Sequence, residues 1–354
     1  MRNILFLVCT TFCLCLSCTN DQVKEAVNYL PNSSGRVDEI LLIMDEDDWR
    51  ANEGEVVREV FMKNYQVLPQ PEPIFSLSQV PMEGVTELLQ RSASILVISD
   101  LSKDNATARM VREELNKFEN QGKERPPFFM RRDVWAAPQQ VLYVYADDAI
   151  KLGNKLLELE ETFINLLYKM EDIKAKNNTY VSGVSKGLTK TLKEDYGLDF
   201  EVPNTYLEVL KTDTLMWMRH DNQLNEEVSN IMVLVEPYTG EPSPITSDYP
   251  IKKIEEMGKL VGTDNEGSYL YPSDKYIPYE QVMAQTEAGK VVKSIGLWSM
   301  QNDFMGGAFT SYSFNDIAKK QRVTLLGFVY APRGKKRILM RRLDIMFRAV
   351  KPVE

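Results

Sequence analysis

Apolar residues along this chain fall into two patterns, and their succession outlines the fold. Ile40-Leu41-Leu42-Ile43-Met44 is an unbroken apolar run, as expected of a strand covered on both faces. Val56, Val57, Val60 and Phe61 recur at helical spacing and predict a helix over about 53–63. Leu68-Pro69-Gln70-Pro71-Glu72-Pro73 must be extended, because each proline disfavours helix in the residue before it. It leads into a strand over 74–80, a short helix over 82–91, a buried strand over 94–99 and an amphipathic helix over 105–118. Strands over 132–136 and 139–145 then pair around Ala137-Pro138, and a long helix runs from Asp147 to about Lys174.

The second half reads as a helix over 188–196, strands over 205–210, 214–219 and 230–236, and a helix over 251–260. Strands over 291–300, 308–314 and 322–330 and a last helix over 335–350 complete it. Strands clustered between helices, without strict βαβ alternation, predict an α+β protein with mixed or antiparallel sheets. Val141–Ala146 and Leu325–Ala331 each lead into a helix and each follow a Trp-bearing strand (Trp135, Trp298), an echo that two related halves with a duplicated strand-strand-helix unit, or a chance agreement of two short strands, would explain.

The N-terminus changes the picture. Arg2 precedes the apolar run that starts at Ile4, and Leu16-Ser17-Cys18 reads as a lipoprotein cleavage site. The run is about fourteen residues, short of the twenty or so that span a bilayer. Residues 1–17 are therefore read as a signal peptide, with Cys18 the lipidated first residue of the mature chain, carrying diacylglycerol and an acyl (palmitate-type) chain. Residues 18–36 read as a flexible, lipidated tether, 37–179 as an N-terminal α+β half and 180–354 as a C-terminal α+β half. Several acyl chains, at about 0.8 kcal/mol per buried methylene, hold a protein on a membrane essentially permanently.

Composition narrows the chemistry. All four cysteines lie within the first eighteen residues, so the body beyond Cys18 has neither a disulfide nor a cysteine nucleophile. The formal charge of −9 becomes one unit more acidic when Arg2 leaves with the signal, and no basic tract offers a nucleic-acid surface. His220 is the single histidine, which rules out multi-histidine metal centres. No cofactor is implied.

Four stretches invite a chemical reading. Gly183-Val184-Ser185-Lys186-Gly187 matches the G-x-S-x-G nucleophile elbow, but a polar helix end precedes it where the elbow needs a buried strand. Asp45-Glu46-Asp47-Asp48 follows a predicted buried strand, where carboxylates hold Mg²⁺ in some enzymes and equally well stabilise a helix N-terminus. Asp303-Phe304-Met305-Gly306-Gly307-Ala308-Phe309 combines paired glycines with Phe304, Met305 and Phe309, which would line a ligand groove or join the core at a hairpin. In the last helix, Leu339, Leu343, Met346 and Val350 form an inward stripe, while Arg337, Arg341 and Arg348, with Lys336 and Lys351 nearby, form the one concentrated positive surface. That surface would meet anionic lipid, an acidic partner, or solvent alone.

Several stretches carry a family resemblance: Leu68–Phe75, Trp135-Ala136-Ala137-Pro138, Met216-Trp217-Met218-Arg219, Tyr276–Tyr279, Gly296-Leu297-Trp298, Asp303–Phe309, Gly327–Pro332 and Lys336-Arg337. The chain resembles a Bacteroidota lipoprotein family known as domain of unknown function 4837. The resemblance implies an envelope lipoprotein and carries over no catalytic residue. The expectation is a non-catalytic binding or interaction module, anchored by Cys18 to the periplasmic face of the outer membrane and meeting an envelope protein or ligand. Its contact candidates are Phe304, Met305, Gly306, Gly307, Phe309, Arg337, Arg341 and Arg348. The alternative is an envelope hydrolase using a metal at Asp45/Asp47 or a serine nucleophile at Ser185.

Overall fold

The computed structural model describes residues 29–65 and 67–353. The expected signal peptide, Cys18 and the tether up to residue 28 lie outside the described residues.

The first half runs β1 (Glu39–Ile43), α1 (Glu46–Arg50), α2 (Asn52–Phe61), β2 (Ser76–Val80), α3 (Glu87–Gln90), β3 (Ser94–Asp100), α4 (Ala106–Glu119), β4 (Phe128–Arg132), β5 (Gln140–Ala146), α5 (Ala149–Glu158) and α6 (Glu160–Thr179). Its sheet has the order β2-β1-β3-β5-β4. Strands β1, β2, β3 and β5 are parallel, and β4 is antiparallel to β5. The unbroken apolar runs follow from burial on both sides. Ile40, Leu42, Leu96, Ile98, Leu142 and Val144 pack against residues of α2, α5 and α6. Leu41, Ile43, Ile95, Val97, Val141 and Tyr143 pack against Val111 and Leu115 of α4. Asn105 caps α4 by accepting from the Ala108 amide at 2.8 Å, and Asp148 caps α5 by accepting from the Lys151 amide at 2.8 Å.

The second half runs α7 (Lys186–Asp195), β6 (Leu198–Asp199), β7 (Leu207–Lys211), β8 (Leu215–Asn222), β9 (Glu227–Pro237), α8 (Asp248–Gly258), β10 (Tyr269–Ser273), β11 (Glu280–Thr286), β12 (Gly289–Gln301), β13 (Gly306–Asp316), β14 (Gln321–Tyr330), α9 (Arg337–Arg348) and β15 (Lys351–Pro352). Eight of these strands make an antiparallel sheet in the order β10-β12-β13-β14-β9-β8-β7, with β11 also on β12. Ile254 and Met257 of α8 cover one face, meeting Met232, Trp298, Leu326 and Phe328. The other face packs Met218, Val233 and Leu325 against Leu339, Leu343, Met346 and Phe347 of α9. The apolar stripe of the last helix therefore points inward, as its spacing predicts.

The architecture is α+β. The two large sheets differ in topology, one mostly parallel and one antiparallel, and the echo between 141–146 and 325–331 reduces to an antiparallel pair leading into a helix, with Trp135 between β4 and β5 but Trp298 in β12. Three local expectations change. The long helix over 147–174 is two helices, breaking at Leu159, so that α5 and α6 both cover the first sheet and α6 also meets α9. The pair of strands places β4 at 128–132, and the stretch 133–139 becomes a corner with Ala136 buried. Strands β10 and β11 went unpredicted, since they lie at the sheet edge and β11 buries little. In addition, 31–35, assigned to the tether, is pinned to this corner and to the start of β3. Ser33 and Ser34 donate to Ala137 O and Arg91 O at 3.1 and 2.7 Å, while Ala137 and Ala93 donate back to Pro31 O and Ser34 O at 2.9 and 2.8 Å.

The glycine pair does have a close-approach role, but inside the sheet. A Cβ on Gly307 would sit 2.0 Å from Val329 O, the same oxygen that accepts the Trp298 indole N–H at 3.1 Å. Gly307→Ala is therefore expected to lower stability by about 2 kcal/mol through overpacking, read as a shift in the urea midpoint. An unchanged midpoint would show that the β12–β14 layer yields there without cost.

Candidate functional site

Helix α9 lies along the seam between the halves, with α6 as its partner. Its N-terminus meets a carboxylate from the first half: Glu72, buried in the proline-rich stretch, accepts from the Lys336 and Arg337 amides at 2.7 and 3.2 Å. An anion there satisfies free N–H groups and suits the helix dipole. The Arg337 guanidinium donates to Pro73 O and, at 3.3 Å, to Ser76 Oγ, and its Nε lies 3.6 Å from Asp38 Oδ2. One turn on, Arg341 pairs with Asp172, donates to Tyr168 O at 3.1 Å and lies over the Tyr168 ring at 4.5 Å. Its Nε is 3.9 Å from Asp38 Oδ1. Arg348 grips Asp172 with both terminal nitrogens at 3.0 and 3.1 Å and reaches Asp344 at 3.0 Å.

This corrects the reading of Arg337, Arg341 and Arg348 as an open positive surface. Arg337 and Arg341 are 2% and 6% exposed, and Lys336 is 4% exposed. The stripe faces the first half, and its anionic partner is the same chain. Charged residues at i, i+4 and i+11 beside an apolar stripe are the signal of a helix buried on two sides; Asp344 apart, the carboxylates that answer them lie about 160 or more residues earlier and leave no local mark.

Burial tunes the acids of the seam in opposite directions. Asp38, 1% exposed, is pushed from 3.8 up to about 6, because desolvation outweighs the pull of Arg341 and Arg337. Neither of its carboxylate oxygens has a hydrogen-bond partner, while its own amide donates to Glu171 Oε2 at 2.6 Å. Asp344 is also desolvated, but Lys293, Arg348 and a hydrogen bond from Tyr312 hold it well below the usual carboxylate range. Burial lifts the Tyr168 hydroxyl to about 12.

Beside the seam opens a groove of about 930 Å³. Its walls come from all three neighbours of the junction: the pinned segment 32–37, the β4–β5 corner with Arg132, Asp133, Ala137 and Pro138, and the last turns of α6 with α9 residues Ile338 and Arg342. Met170, Ile173, Val181, Pro138 and Ile338 supply apolar surface, and asparagines, serines, glutamines, cations and Asp133 supply polar surface. The volume lies in the range of small-molecule sites.

The other sequence-predicted residues do not converge there. Phe304 stands fully exposed at the β12–β13 turn, and Met305 packs with Trp298 and Phe309 in the core. Gly306 and Gly307 lie in β13. Asp303, which accepts from Thr263 Oγ1 at 2.8 Å and Asn265 Nδ2 at 3.1 Å, braces the turn. The stretch 303–309 is a hairpin whose apolar residues, Phe304 apart, join the core. Ser185 caps α7, its Oγ accepting from the Leu188 amide at 3.5 Å, and it follows a turn from α6, not a buried strand. His220 contacts Thr205 O at 3.1 Å and lines a cavity of about 80 Å³ that does not include Ser185. Asp45 caps α1 by accepting from the Asp47 amide at 3.1 Å, Asp47 faces solvent, and buried Asp48 pairs with Lys103. Among the described residues no three metal-ligating side chains cluster. No helix among them is long and apolar enough to cross a membrane.

Residues 185–349 match the family model described as Domain of unknown function (DUF4837), and residues 33–180 match Domain of unknown function (DUF8532). The likeness to family 4837 thus belongs to the second half, and the first half matches a family of its own. No curated protein matches the chain. Among solved structures, the Ran-binding protein Mog1p of Saccharomyces cerevisiae is similar at 14% identity and a TM-score of 0.31, over 45% of this chain and 91% of that one. A Mog1 point mutant gives 14% and 0.30, over 45% and 92%.

Asp38 yields a pH prediction. Its folded pKa lies above the unfolded value, so its contribution to stability is fully present below about pH 4 and is lost as the pH rises through about 6. Asp344 has the opposite sign and acts below pH 4, outside this window. The stability of the native chain relative to Asp38→Asn should therefore fall by up to about 3 kcal/mol from pH 4 to pH 7 in urea unfolding. Raised Asp48 contributes equally to both proteins and cancels. A gap that stays constant with pH would mean that Asp38 is ionised throughout.

Proposed function

We propose that this chain, a DUF8532 domain joined to a DUF4837 domain, is a non-catalytic binding lipoprotein of the cell envelope, held on the periplasmic face of the outer membrane through Cys18. The groove at the junction of the two domains is its binding site. The observation that carries this reading is that one concave surface gathers residues from both halves and from the segment leading back to Cys18. A binding module needs such a surface at a fixed place, and the buried ion pairs of the seam keep the two sides of this one in register. The thirteen or so residues from Cys18 to Pro31 reach at most about 45 Å, so anchoring confines the groove to the membrane's vicinity. Ser17-Cys18-Thr19 supports lipidation, and Thr19 in place of an acid supports the outer membrane.

Two outcomes test it. Cys18→Ala should lose metabolic lipid labelling and leave the membrane fraction; a variant that still incorporates lipid would refute the anchor. A photo-crosslinker at Asn177 or Val181, both exposed in the groove wall, should give envelope adducts that the same group at Leu224, 96% exposed on the β8–β9 turn, does not. Equal yields at all three positions would remove the groove as the site.

A further inference from the structure

Within that reading of the groove as a binding site, the lining also identifies the chemistry of the ligand. Its charged residues are Arg36, Arg132, Lys174 and Arg342 against Asp133 alone, in a chain whose formal charge is −9. The Lys174 charge is answered by buried Glu171 at 2.8 Å, and its ammonium also donates to Arg36 O and Glu39 O. Exposed Arg36 has Glu39 at 3.6 Å. The remaining two are different. Arg342 is oriented by a neutral group, the Asn178 amide oxygen, which accepts from its Nε and a terminal nitrogen at 3.0 and 2.7 Å. Arg132 is exposed; its neighbour Arg131 pairs with Glu114 at 3.1 Å, but Arg132 has no ion pair among the described residues. Asp133 is itself engaged, accepting from the Gln139 amide at 2.8 Å.

Two guanidinium groups without an ion pair among the described residues therefore line the groove together with Met170, Ile173, Pro138 and Ile338. We infer that the groove takes a single-chain anionic amphiphile, with a phosphate or carboxylate head at Arg132 and Arg342 and its hydrocarbon chain over that floor. A small inorganic anion would satisfy the arginines but leave the apolar surface wet, and a neutral hydrocarbon would leave the charges unmet. Guanidinium groups suit this head because they bind planar or tetrahedral oxyanions through two parallel donors. A concave site of about 930 Å³ suits one molecule drawn out of a layer, whereas a bilayer surface meets a flat or convex face.

The test uses the full-length chain anchored in phosphatidylcholine nanodiscs, with radiolabelled dodecyl phosphate as probe and empty nanodiscs as the partition control. Saturable binding of one dodecyl phosphate per chain is expected, with inorganic phosphate and dodecyl maltoside competing about tenfold more weakly or worse. Arg132→Gln with Arg342→Gln should weaken binding by about tenfold or more while leaving the melting temperature in place. If the double variant is unstable, the single Arg132→Glu, at an exposed residue, reports instead. Binding that does not saturate, equal competition by dodecyl maltoside, or a folded variant that binds as well as the native chain would overturn the inference. So would competition by nanodiscs containing phosphatidylglycerol in place of free amphiphile, which would make the occupant a bilayer headgroup. Failure here together with groove-specific crosslinks would discard only the amphiphile; failure of both would discard the groove.

Discussion

The arrangement of this molecule depends on a set of ion pairs taken out of water at the seam between its halves. Arg337 and Arg341 of α9 and Asp38 and Asp172 of the first half are separated by some 160 to 300 residues, yet their charges meet within 4 Å, and Glu72 takes the backbone amides that start α9. Burying such groups costs several kcal/mol per ion, and mutual attraction returns this only when the geometry is good and the remaining donors are filled. Here Arg337 donates to Pro73 O and Ser76 Oγ and Arg341 to Tyr168 O and Asp172, while the Nε of each faces Asp38 without a hydrogen bond. What such a network supplies is selection among docking poses. An apolar seam would tolerate sliding, whereas a shift by one turn of α9 would strand two guanidinium groups and the buried carboxylates of Asp38 and Glu72.

Asp38 is the weak member, and its position explains why. It sits at φ +56 immediately before β1, its carboxylate accepts no hydrogen bond, and both arginine contacts are longer than 3.5 Å. Its amide is the better satisfied group, bound by Glu171, which is in turn fixed by Lys174. Lys174 also ties down Arg36 O and Glu39 O, so one ammonium joins α6, the start of β1 and the groove wall. The seam and the groove are thus built from overlapping residues: α6 turns Glu171 inward to the ion pairs and Ile173 outward to the groove.

Much of the frame was legible in the sequence because it is written in local periodicity. The run Ile40–Met44 announced a strand covered on both faces, and the i, i+4, i+7, i+11 stripe of α9 announced its inward side. Charge was misread because burial of a cation is decided by what stands opposite, and Asp38, Asp172 and Glu72 are distant in the chain. The Gly306-Gly307 pair was recognised as a place of close approach, but only the sheet shows that the approaching group is Val329 O and not a ligand. The groove left no motif, since segment 31–36, the β4–β5 corner, α6 and α9 each contribute a few unremarkable residues. Arg132 and Arg342 become a pair only when those pieces are assembled.

The shared construction has a thermodynamic consequence. A ligand bridging Arg132 in the first half and Arg342 on α9 contacts both sides of the seam, and so binds the docked arrangement and no other. Such a ligand must favour docking by the same free energy with which docking favours the ligand. At a concentration a hundred times its dissociation constant that amounts to about 2.7 kcal/mol. This is close in size to the amount by which an ionised Asp38 weakens the fold. The groove's charge adds a second constraint: the acidic body repels anions over the ~8 Å that salt leaves unscreened. Selection must then come from short-range contact with oriented guanidinium groups, and the neutral Asn178 amide, which aims Arg342 without cancelling its charge, is the residue that keeps that contact open.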